Sequence, residues 1–269
     1  MLLYIIGFLM FLTNTVDTAR FLTERKNPDG GYSFARFGPS TASATYYAVS
    51  SFNMLNIEPP DKEKTVAWCL SKQSEDGSFP SIQIAFYVTS TLEILNLGVK
   101  NPSGFLRWCY QHYKNGLFSE KNNGVPSLKA TYMITSTMAH YEENRYKKEI
   151  TNNLSNHLPD NLTDIFRYVR IFENIGSSVP NQCKIIDFIK RCKTPPGFYS
   201  LVPETTSFLE HTYHAIYLSK KFDVPIEQKR LREYILSCRN RDGGFGRAPS
   251  AASFVQYTYY ALNSLQLLK

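Results

Sequence analysis

The chain has 269 residues, of which 43% are hydrophobic and 14% aromatic, and its formal net charge is +7. This composition provides enough apolar material for a large folded core and excludes an intrinsically disordered chain. Basic and acidic residues are mixed along most of the chain, and no run of five basic residues occurs. A solvated surface is therefore favoured over a nucleic-acid-binding surface.

The first segment, residues 1–12, is apolar and has no basic residue before its apolar run. A secretory signal peptide carries such a residue and is followed by a cleavage site of small residues, which is also missing here. The segment is shorter than the about 20 residues that a transmembrane helix needs. We expect a leading apolar core helix, with a targeting segment as the alternative, and no transmembrane span.

A short turn then recurs along the chain, with a Gly, any residue and an aromatic residue, usually preceded by Asp or Asn. It is found at Asp29 to Tyr32, Asp76 to Phe79, Asn115 to Phe118 and Asp242 to Phe245, with a variant at Pro196 to Phe198. Intervals of about 40 to 47 residues, one of them doubled, indicate a repeat architecture. The doubled interval hides a degenerate fourth repeat. A Gly suits such a turn because a helix can end there at positive φ.

Each repeat is predicted to place an amphipathic helix before the turn and an aromatic-rich helix after it. Apolar residues recur at i, i+3, i+4 and i+7 in the helices that begin near Ile185 and Leu231. The helices after the turns are apolar on more than one side, as expected of an inner layer. The chain is therefore predicted to be all-α, a closed α/α toroid of about six helical hairpins. An open helical solenoid is the alternative.

The toroid is predicted to be one domain, residues 1–269. Its repeats are expected at about residues 13–55, 61–96, 102–140, 145–175, 181–220 and 227–268.

The five cysteines are an odd number without a C-x-x-C pair, which argues against a disulfide framework and a zinc ribbon. Cys69 and Cys109 each follow a Trp, and Cys192 and Cys238 share one position of the last two outer helices. Such repeat-equivalent positions favour buried packing thiols over metal ligands. Free thiols also predict a reducing, cytoplasmic location.

The predicted inner helices are rich in aromatic residues, which could fill a core or line a central pocket. An axis surrounded by six helices is too wide for side chains to fill easily, and aromatic-lined pockets are common ligand sites. Both interpretations stay open. The candidate substrate-binding residues are Tyr46, Tyr87, Tyr132, Phe166, Tyr213 and Tyr257.

Gln73, Gly77 and Phe79 form a Q-x-x-x-G-x-F string. It resembles the repeat of the prenyltransferase and squalene-cyclase family, and residues 69–79 and 231–245 are similar to β-subunits of protein prenyltransferases. The resemblance, from about Thr13 to Leu268, implies an aromatic funnel for an isoprenoid diphosphate or isoprenoid lipid. It also implies a helical α-subunit or a homodimer as partner. Finally, it implies a zinc ion bound by Asp, Cys and His, which would lower the pKa of a substrate thiol.

In that family an Asp-x-Cys string opens one inner helix, and the His follows one repeat later, usually as His-Thr. Matched from the N-terminus, the string falls on Asp164 and Phe166, and the His on His211. Matched from the C-terminus, the string falls on Phe208 and Glu210 and the His on Tyr257, a poorer fit. Asp164 and His211 are thus the candidate catalytic and zinc-binding residues. Phe166 replaces the thiolate, so the site is incomplete.

Each candidate ligand also has a plainer interpretation. Asn161, Thr163 or Asp164 could cap the helix that begins there. His211 could be a hydrogen-bonded structural histidine, and Glu210 or His214 could complete a metal site.

The predicted function is that of an isoprenoid-binding transferase of the protein prenyltransferase β-subunit type with a degenerate zinc site. The basic residues that the family places a turn before Asp-x-Cys are missing from residues 157–161, and no D-x-D-D acid for cyclisation is present. The alternative is a non-catalytic module on the same toroid that binds an isoprenoid, another lipid or a protein.

Overall fold

The computed structural model describes residues 15–141 and 145–269, and the helix predicted at residues 1–12 lies outside them. Twelve helices in the described ranges form six hairpins. The first helices of the hairpins are residues 15–23 (α1), Lys62–Leu70 (α3), Pro102–Gln111 (α5), Lys147–Leu154 (α7), Gln182–Arg191 (α9) and Gln228–Ser237 (α11). The second helices are Ala42–Met54 (α2), Ile82–Ile94 (α4), Leu128–Met138 (α6), Leu162–Asn174 (α8), Leu209–Lys221 (α10) and Val255–Leu267 (α12).

The even-numbered helices form a closed inner ring. Each contacts the next even-numbered helix along the chain, and α12 contacts α2. The odd-numbered helices pack outside them. A short antiparallel pair, β1 (Tyr113–Lys114) and β2 (Leu117–Phe118), lies within the third hairpin with Tyr113 opposite Phe118. The predicted closed α/α toroid is therefore confirmed, and the open solenoid is excluded by the contact between α12 and α2.

The inner helices begin at polar caps in the first four repeats. The side chains of Thr41, Ser81, Ser127 and Asn161 each accept a hydrogen bond from a backbone N–H three residues later. These bonds satisfy N–H groups that the first turn of a helix leaves free. Among the three predicted candidates for the cap of α8, Asn161 is the one used.

Four turns are attached to their inner helices by the same hydrogen bond. The backbone N–H of the turn aromatic donates to a threonine hydroxyl four residues after the N-cap, at 2.9–3.4 Å. The pairs are Tyr32 with Thr45, Phe118 with Thr131, Tyr199 with Thr212 and Phe245 with Thr258.

This bond corrects the aromatic predicted for the fifth turn. Tyr199 takes the position that the sequence analysis gave to Phe198, because the motif needs one residue between Gly197 and its aromatic. Phe198 instead stacks on Tyr234 of α11, with ring centroids 3.7 Å apart.

The same type of hydrogen bond joins the first repeat to the second and closes the ring between the sixth repeat and the first. The hydroxyl of Thr65 donates to the carbonyl of Gly30 at 2.8 Å, and that of Thr18 donates to the carbonyl of Gly243 at 2.8 Å. Both glycines have positive φ, +96° and +87°. A Cβ on Gly243 would lie 2.3 Å from the carbonyl oxygen of Asp17. Only glycine allows the outer helix of the next repeat to approach this closely.

The cysteines lie where packing residues are expected. Cys69, Cys109, Cys192 and Cys238 are buried, while Cys183 is exposed. The prediction of core thiols at the four repeat-equivalent positions is thus confirmed. Of the helices in the described ranges, none has the length and apolar character needed to cross a bilayer.

A central cavity lined by an aromatic belt

One aromatic residue from every inner helix faces the axis of the ring. It is the fifth residue after the N-cap in each case, and each ring contacts the next around the whole circuit, with centroids 5.5–6.3 Å apart. We call these residues the aromatic belt: Tyr46, Phe86, Tyr132, Phe166, Tyr213 and Tyr259. Among the described residues, no ring contact joins opposite members of the belt.

The belt surrounds a cavity of about 300 Å³. The other lining residues lie three positions before, one after or four after a belt residue on the same helix. This spacing of i, i+3, i+4 and i+7 is one face of an α-helix. Side chains at equal levels meet, as Tyr47 meets Tyr87 and Arg170 meets Tyr217, so the inner helices run parallel.

The cavity has one wall of tyrosines. We call the lining residues of α12, α2 and α4 the tyrosine side: Tyr46, Tyr47, Phe86, Tyr87, Gln256, Tyr259 and Tyr260. The hydroxyls of Tyr46 and Tyr259 are 3.1 Å apart, and those of Tyr47 and Tyr87 are 3.2 Å apart. Each pair shares one hydrogen bond between its two hydroxyls, so these four phenol groups are partnered within the tyrosine side.

The opposite wall contains ionisable groups. We call the lining residues of α8 and α10 the charged side: Thr163, Phe166, Arg167, Arg170, Glu210, Tyr213, His214 and Tyr217. Neither arginine is free, since Arg167 binds Asp164 at 2.6 Å and Arg170 binds Glu173 at 3.0 Å.

The pair of Arg170 and Glu173 belongs to a larger network at the carboxyl ends of the inner helices. Tyr217 accepts a hydrogen bond from Arg170 and donates one to Glu173, both at 2.6 Å. Lys221 binds the other oxygen of Glu173 at 2.9 Å. Burial opposes ionisation of Glu173, but hydrogen bonds from Tyr217 and Lys221 and the Arg170 charge hold its pKa below the ordinary value. Glu173 is therefore an anion shared between two cations.

A second polar group lies near the amino ends of α10 and α12. The hydroxyl of Tyr260 donates to Glu210 at 3.4 Å and accepts from Gln256 at 3.4 Å. Both contacts are longer than the roughly 2.5–3.2 Å of good hydrogen bonds. Burial raises the pKa of Glu210, against the opposing effect of the Arg167 charge. Glu210 is thus a half-buried carboxyl without a tight partner.

Two histidines of α10 are held neutral. Burial and the Arg247 charge lower the pKa of His211 to about 4. Burial, followed by the charges of His211 and Arg167, lowers the pKa of His214 well below its ordinary value. The Nδ1 atom of His214 forms a 3.2 Å hydrogen bond with Thr163. The Nδ1 atom of His211 is buried without a hydrogen-bond partner.

The predicted zinc ligands, Asp164 and His211, occupy equal levels of neighbouring inner helices, each the third residue after its N-cap. The carboxylate of Asp164 accepts from Arg167 at 2.6 Å and from Asn161 at 2.9 Å. Phe166, at the position of the family's thiolate, stacks on His214 with centroids 4.4 Å apart.

These side chains do not fit a zinc ion by themselves. No group of three or more potential ligands occurs in the part of the chain that the structure describes. Tetrahedral zinc takes at least three protein ligands, and only two candidates are present here. The His-Thr pair is not diagnostic either, because Thr212 is the turn-binding threonine found also at Thr45, Thr131 and Thr258.

Of the predicted substrate-binding residues, Tyr46, Tyr87, Tyr132, Phe166 and Tyr213 line the cavity. Tyr257 is absent from the lining, and its ring contacts Phe254 at 6.1 Å. Tyr259 takes the belt position on α12. Residues two positions apart on a helix differ in direction by about 200°, so Tyr257 and Tyr259 cannot both face the axis.

The polar lining residues were not predicted from the sequence. Arg167, Arg170, Thr163 and Gln256 were not identified, and Glu210 was considered only as a metal ligand. The signal that could have found them is the spacing from a belt residue, since three before and one or four after Phe166 give Thr163, Arg167 and Arg170.

The model of the prenyltransferase alpha-alpha toroid domain matches residues 2–80 and 78–269. The chain belongs to this family. No curated protein matches it by sequence.

Solved structures share the fold of this family member at low sequence identity. A protein from Actinoplanes has a TM-score of 0.66 and 13% identity over 96% of this chain and 99% of its own. A variant of the type II terpene cyclase MstE from Scytonema, in complex with its product merosterolic acid A, has a TM-score of 0.65 and 11% identity over 95% and 96%. Candida albicans protein geranylgeranyltransferase-I complexed with GGPP has a TM-score of 0.47 and 14% identity over 95% and 78%. At these identities the Actinoplanes and MstE structures show a common fold alone.

Proposed function

We propose that this toroid binds the hydrocarbon chain of an isoprenoid in its central cavity. The aromatic belt carries the proposal, because six contacting aromatic rings surround the axis with polarisable surface. The volume of about 300 Å³ lies at the lower end of small-molecule pockets, which span roughly 300–1,000 Å³. Membership of the prenyltransferase toroid family supports the same class of ligand.

The tyrosine side suits a branched, unsaturated hydrocarbon rather than a polar ligand. Four of its five phenol groups are paired with one another, at 3.1 Å for Tyr46 with Tyr259 and 3.2 Å for Tyr47 with Tyr87. A ligand beside these four tyrosines therefore meets their aromatic rings, and their hydroxyls are already partnered. Burying a prenyl chain against them removes apolar surface from water at about 25 cal/mol per Å².

The test is retention of radiolabelled farnesol, geranylgeraniol and their diphosphates by the purified protein in gel filtration. The wild type is expected to retain at least one of them. Tyr259→Ala should weaken binding by at least about tenfold, because it removes one belt ring and its buried contact area. Tyr259→Phe should bind within about threefold of wild type, because it keeps the ring.

Tyr257→Ala is the matched comparison, since Tyr257 lies on the same helix but outside the cavity. It is expected to bind the ligand like the wild type. Thermal unfolding without ligand shows that each variant is folded. If a folded wild-type protein retains none of the four compounds, isoprenoid binding is not its function.

Zinc-dependent prenyl transfer of the protein prenyltransferase β-subunit type is the second candidate. The equal level of Asp164 and His211 on neighbouring helices favours it. The discriminating measurement is the metal content of protein purified without chelators, together with thermal shift against prenyl diphosphates. One zinc per chain, lost in both Asp164→Ala and His211→Ala, together with stabilisation by diphosphate would support transfer. Zinc far below one ion per chain would argue against zinc-dependent transfer and would leave isoprenoid binding as the proposed function.

A further inference from the structure

We propose that the isoprenoid bound in this cavity carries an uncharged oxygen head group, a hydroxyl or a carbonyl, rather than a diphosphate. This inference rests on the proposed function and specifies the ligand of the same site.

The charges around the cavity are balanced. Within residues 15–141 and 145–269, Arg167 and Arg170 are the cations that line it, and Asp164 and Glu173 bind them at 2.6 and 3.0 Å. Lys221 is outside the lining, and Glu173 also binds it.

Glu210 adds a third carboxyl to these three cations. A diphosphate carries at least about two negative charges at neutral pH and needs several cations or N–H donors for compensation. The described lining residues, counted together with the groups that bind them, offer no excess of positive charge to provide it. Arg247 lies outside the lining, with its guanidinium over the ring of Phe208.

The helix amino ends do not reverse this balance. Six parallel helix dipoles favour an anion at that end of the axis. However, a side-chain cap already binds a first-turn N–H of α2, α4, α6 and α8. The first turns of α8 and α10 also contain Asp164 and Glu210, whose carboxyls interact with the same dipoles. An entering anion would compete with these groups.

The groups at this end are instead suited to a neutral oxygen. Glu210, Tyr260 and Gln256 form a chain of two 3.4 Å contacts, long enough for a ligand group to form better ones. A phenol donates and accepts, an amide does both, and a carboxyl group accepts. A hydroxyl can pair with all three groups and a carbonyl with the phenol and the amide, whereas a diphosphate only accepts and would also face the Glu210 carboxyl.

The experiment compares geranylgeraniol with geranylgeranyl diphosphate, and farnesol with farnesyl diphosphate, by gel-filtration retention at matched chain length. For the wild type we expect the alcohol to bind at least about tenfold tighter, equivalent to about 1.4 kcal/mol. Asp164→Asn removes the carboxylate that neutralises Arg167 and should raise the affinity for the diphosphate by about three- to tenfold.

Asp187→Asn is the matched control. It frees Arg191 from a comparable 3.0 Å ion pair on the outer helix α9, where both side chains are more than half exposed. This variant should leave diphosphate binding unchanged, which separates a local effect on the cavity from the change in net charge.

Two further variants keep the test decisive if Asp164→Asn does not fold. Glu210→Gln should bind the alcohol within about threefold of wild type, because an amide still donates and accepts. Glu210→Leu should lose about tenfold, because it can do neither. Equal or tighter binding of the diphosphate by the wild type, or full alcohol affinity in Glu210→Leu, would overturn the neutral head group while isoprenoid binding stands. Loss of both ligands would instead overturn the proposed function.

Discussion

The tyrosine side and the charged side of the cavity are built on equivalent faces of equivalent helices, yet their chemistry is opposite. Across the tyrosine side, phenol rings pack together and their hydroxyls pair at 3.1 and 3.2 Å. Across the charged side, each arginine is bound by a carboxylate on its own helix. The repeat therefore determines where a side chain points, and the residue at each position determines whether that wall contacts a hydrocarbon chain or a polar group.

Comparing the two sides also shows which lining position is aromatic in all six inner helices and which position differs among them. Every helix has an aromatic at the belt position, so the belt is the common element of both walls. One residue later the six helices carry Tyr47, Tyr87, Met133, Arg167, His214 and Tyr260. The difference between the two sides thus arises next to the belt, and variants at the two sides can be predicted separately.

The largest expected effect is at the ring closure that holds the tyrosine side together. Gly243→Ala places a Cβ 2.3 Å from the Asp17 carbonyl oxygen on a residue with φ of +87°. We expect the free energy of unfolding to fall by roughly 2–4 kcal/mol, measured by urea denaturation. The control is Gly98→Ala, where a Cβ meets nothing within 4 Å. Equal stabilities of the two variants would contradict a tight closure.

The next largest effect on the free energy of unfolding is expected from the polar contacts of the two sides. Glu173→Gln removes the anion shared by Arg170 and Lys221 and should lower the free energy of unfolding by about 2 kcal/mol, since it leaves partly buried cations unpaired. Tyr259→Phe on the tyrosine side removes one hydroxyl of a neutral pair and should cost about 0.5–1 kcal/mol. Chemical denaturation of both variants tests the order, and a larger loss for Tyr259→Phe would reverse our assignment of the walls.

Glu210 on the charged side and its neighbour His211 should also make stability depend on pH. A histidine whose pKa is lowered to about 4 by folding, as for His211, stabilises the protein above its unfolded pKa of about 6.5. That contribution is lost as the pH falls from about 6.5 toward 4. Glu210 has the opposite sign, because its pKa is raised and its contribution is lost as the pH rises.

Two variants separate these contributions. His211→Gln should reduce the loss of unfolding free energy between pH 7 and pH 5 by on the order of 1 kcal/mol, and Glu210→Gln should increase the loss. His157→Gln, at an exposed position, is the control. Denaturation curves at several pH values measure these differences. A pH dependence that is the same in all three variants would show that these buried groups do not titrate as described.

The fold was predictable because its signals repeat. The Gly-x-aromatic turns and the helical periodicity each occur several times, so one degenerate repeat did not obscure the ring. The fifth turn shows the limit, since Phe198 and Tyr199 are adjacent aromatics and only the hydrogen bond from Tyr199 to Thr212 identifies the turn residue. Where two similar residues are neighbours, composition does not resolve the register.

The site was less predictable because it depends on which residues face the axis. Five of six predicted binding aromatics line the cavity, but Tyr257 is two residues from the belt position of its helix. Arg167 and Arg170 gave no signal of their own, since an arginine near an acid on a helix is ordinarily a surface residue. Their place in the lining follows from their spacing to Phe166, once that residue is known to face the axis of the closed ring.

The smallest expected effect concerns loops that precede the inner helices on both sides. Five residues after the turn aromatic, four repeats have a residue in the left-handed region: Phe37, Asn123, Glu204 and Ser250, with φ between 60° and 66°. Asn tolerates this conformation better than Phe or Glu. Phe37→Asn and Glu204→Asn should therefore each raise the free energy of unfolding by about 0.5–1 kcal/mol, measured by urea denaturation.

The controls decide whether backbone strain is the cause. Phe37 is fully exposed, so its ring contributes no packing that the substitution could remove. Phe37→Ala also removes the ring, but alanine lacks the side-chain amide that helps Asn adopt this conformation. The free energy of unfolding should therefore rise less in Phe37→Ala than in Phe37→Asn. If Phe37→Ala stabilises the protein as much as Phe37→Asn, the benefit comes from removing an exposed apolar ring. In that case Glu204→Asn should give no gain, because Glu204 has a near-equal φ but no apolar ring to remove. The two loops, one on each side of the cavity, therefore test the same explanation independently.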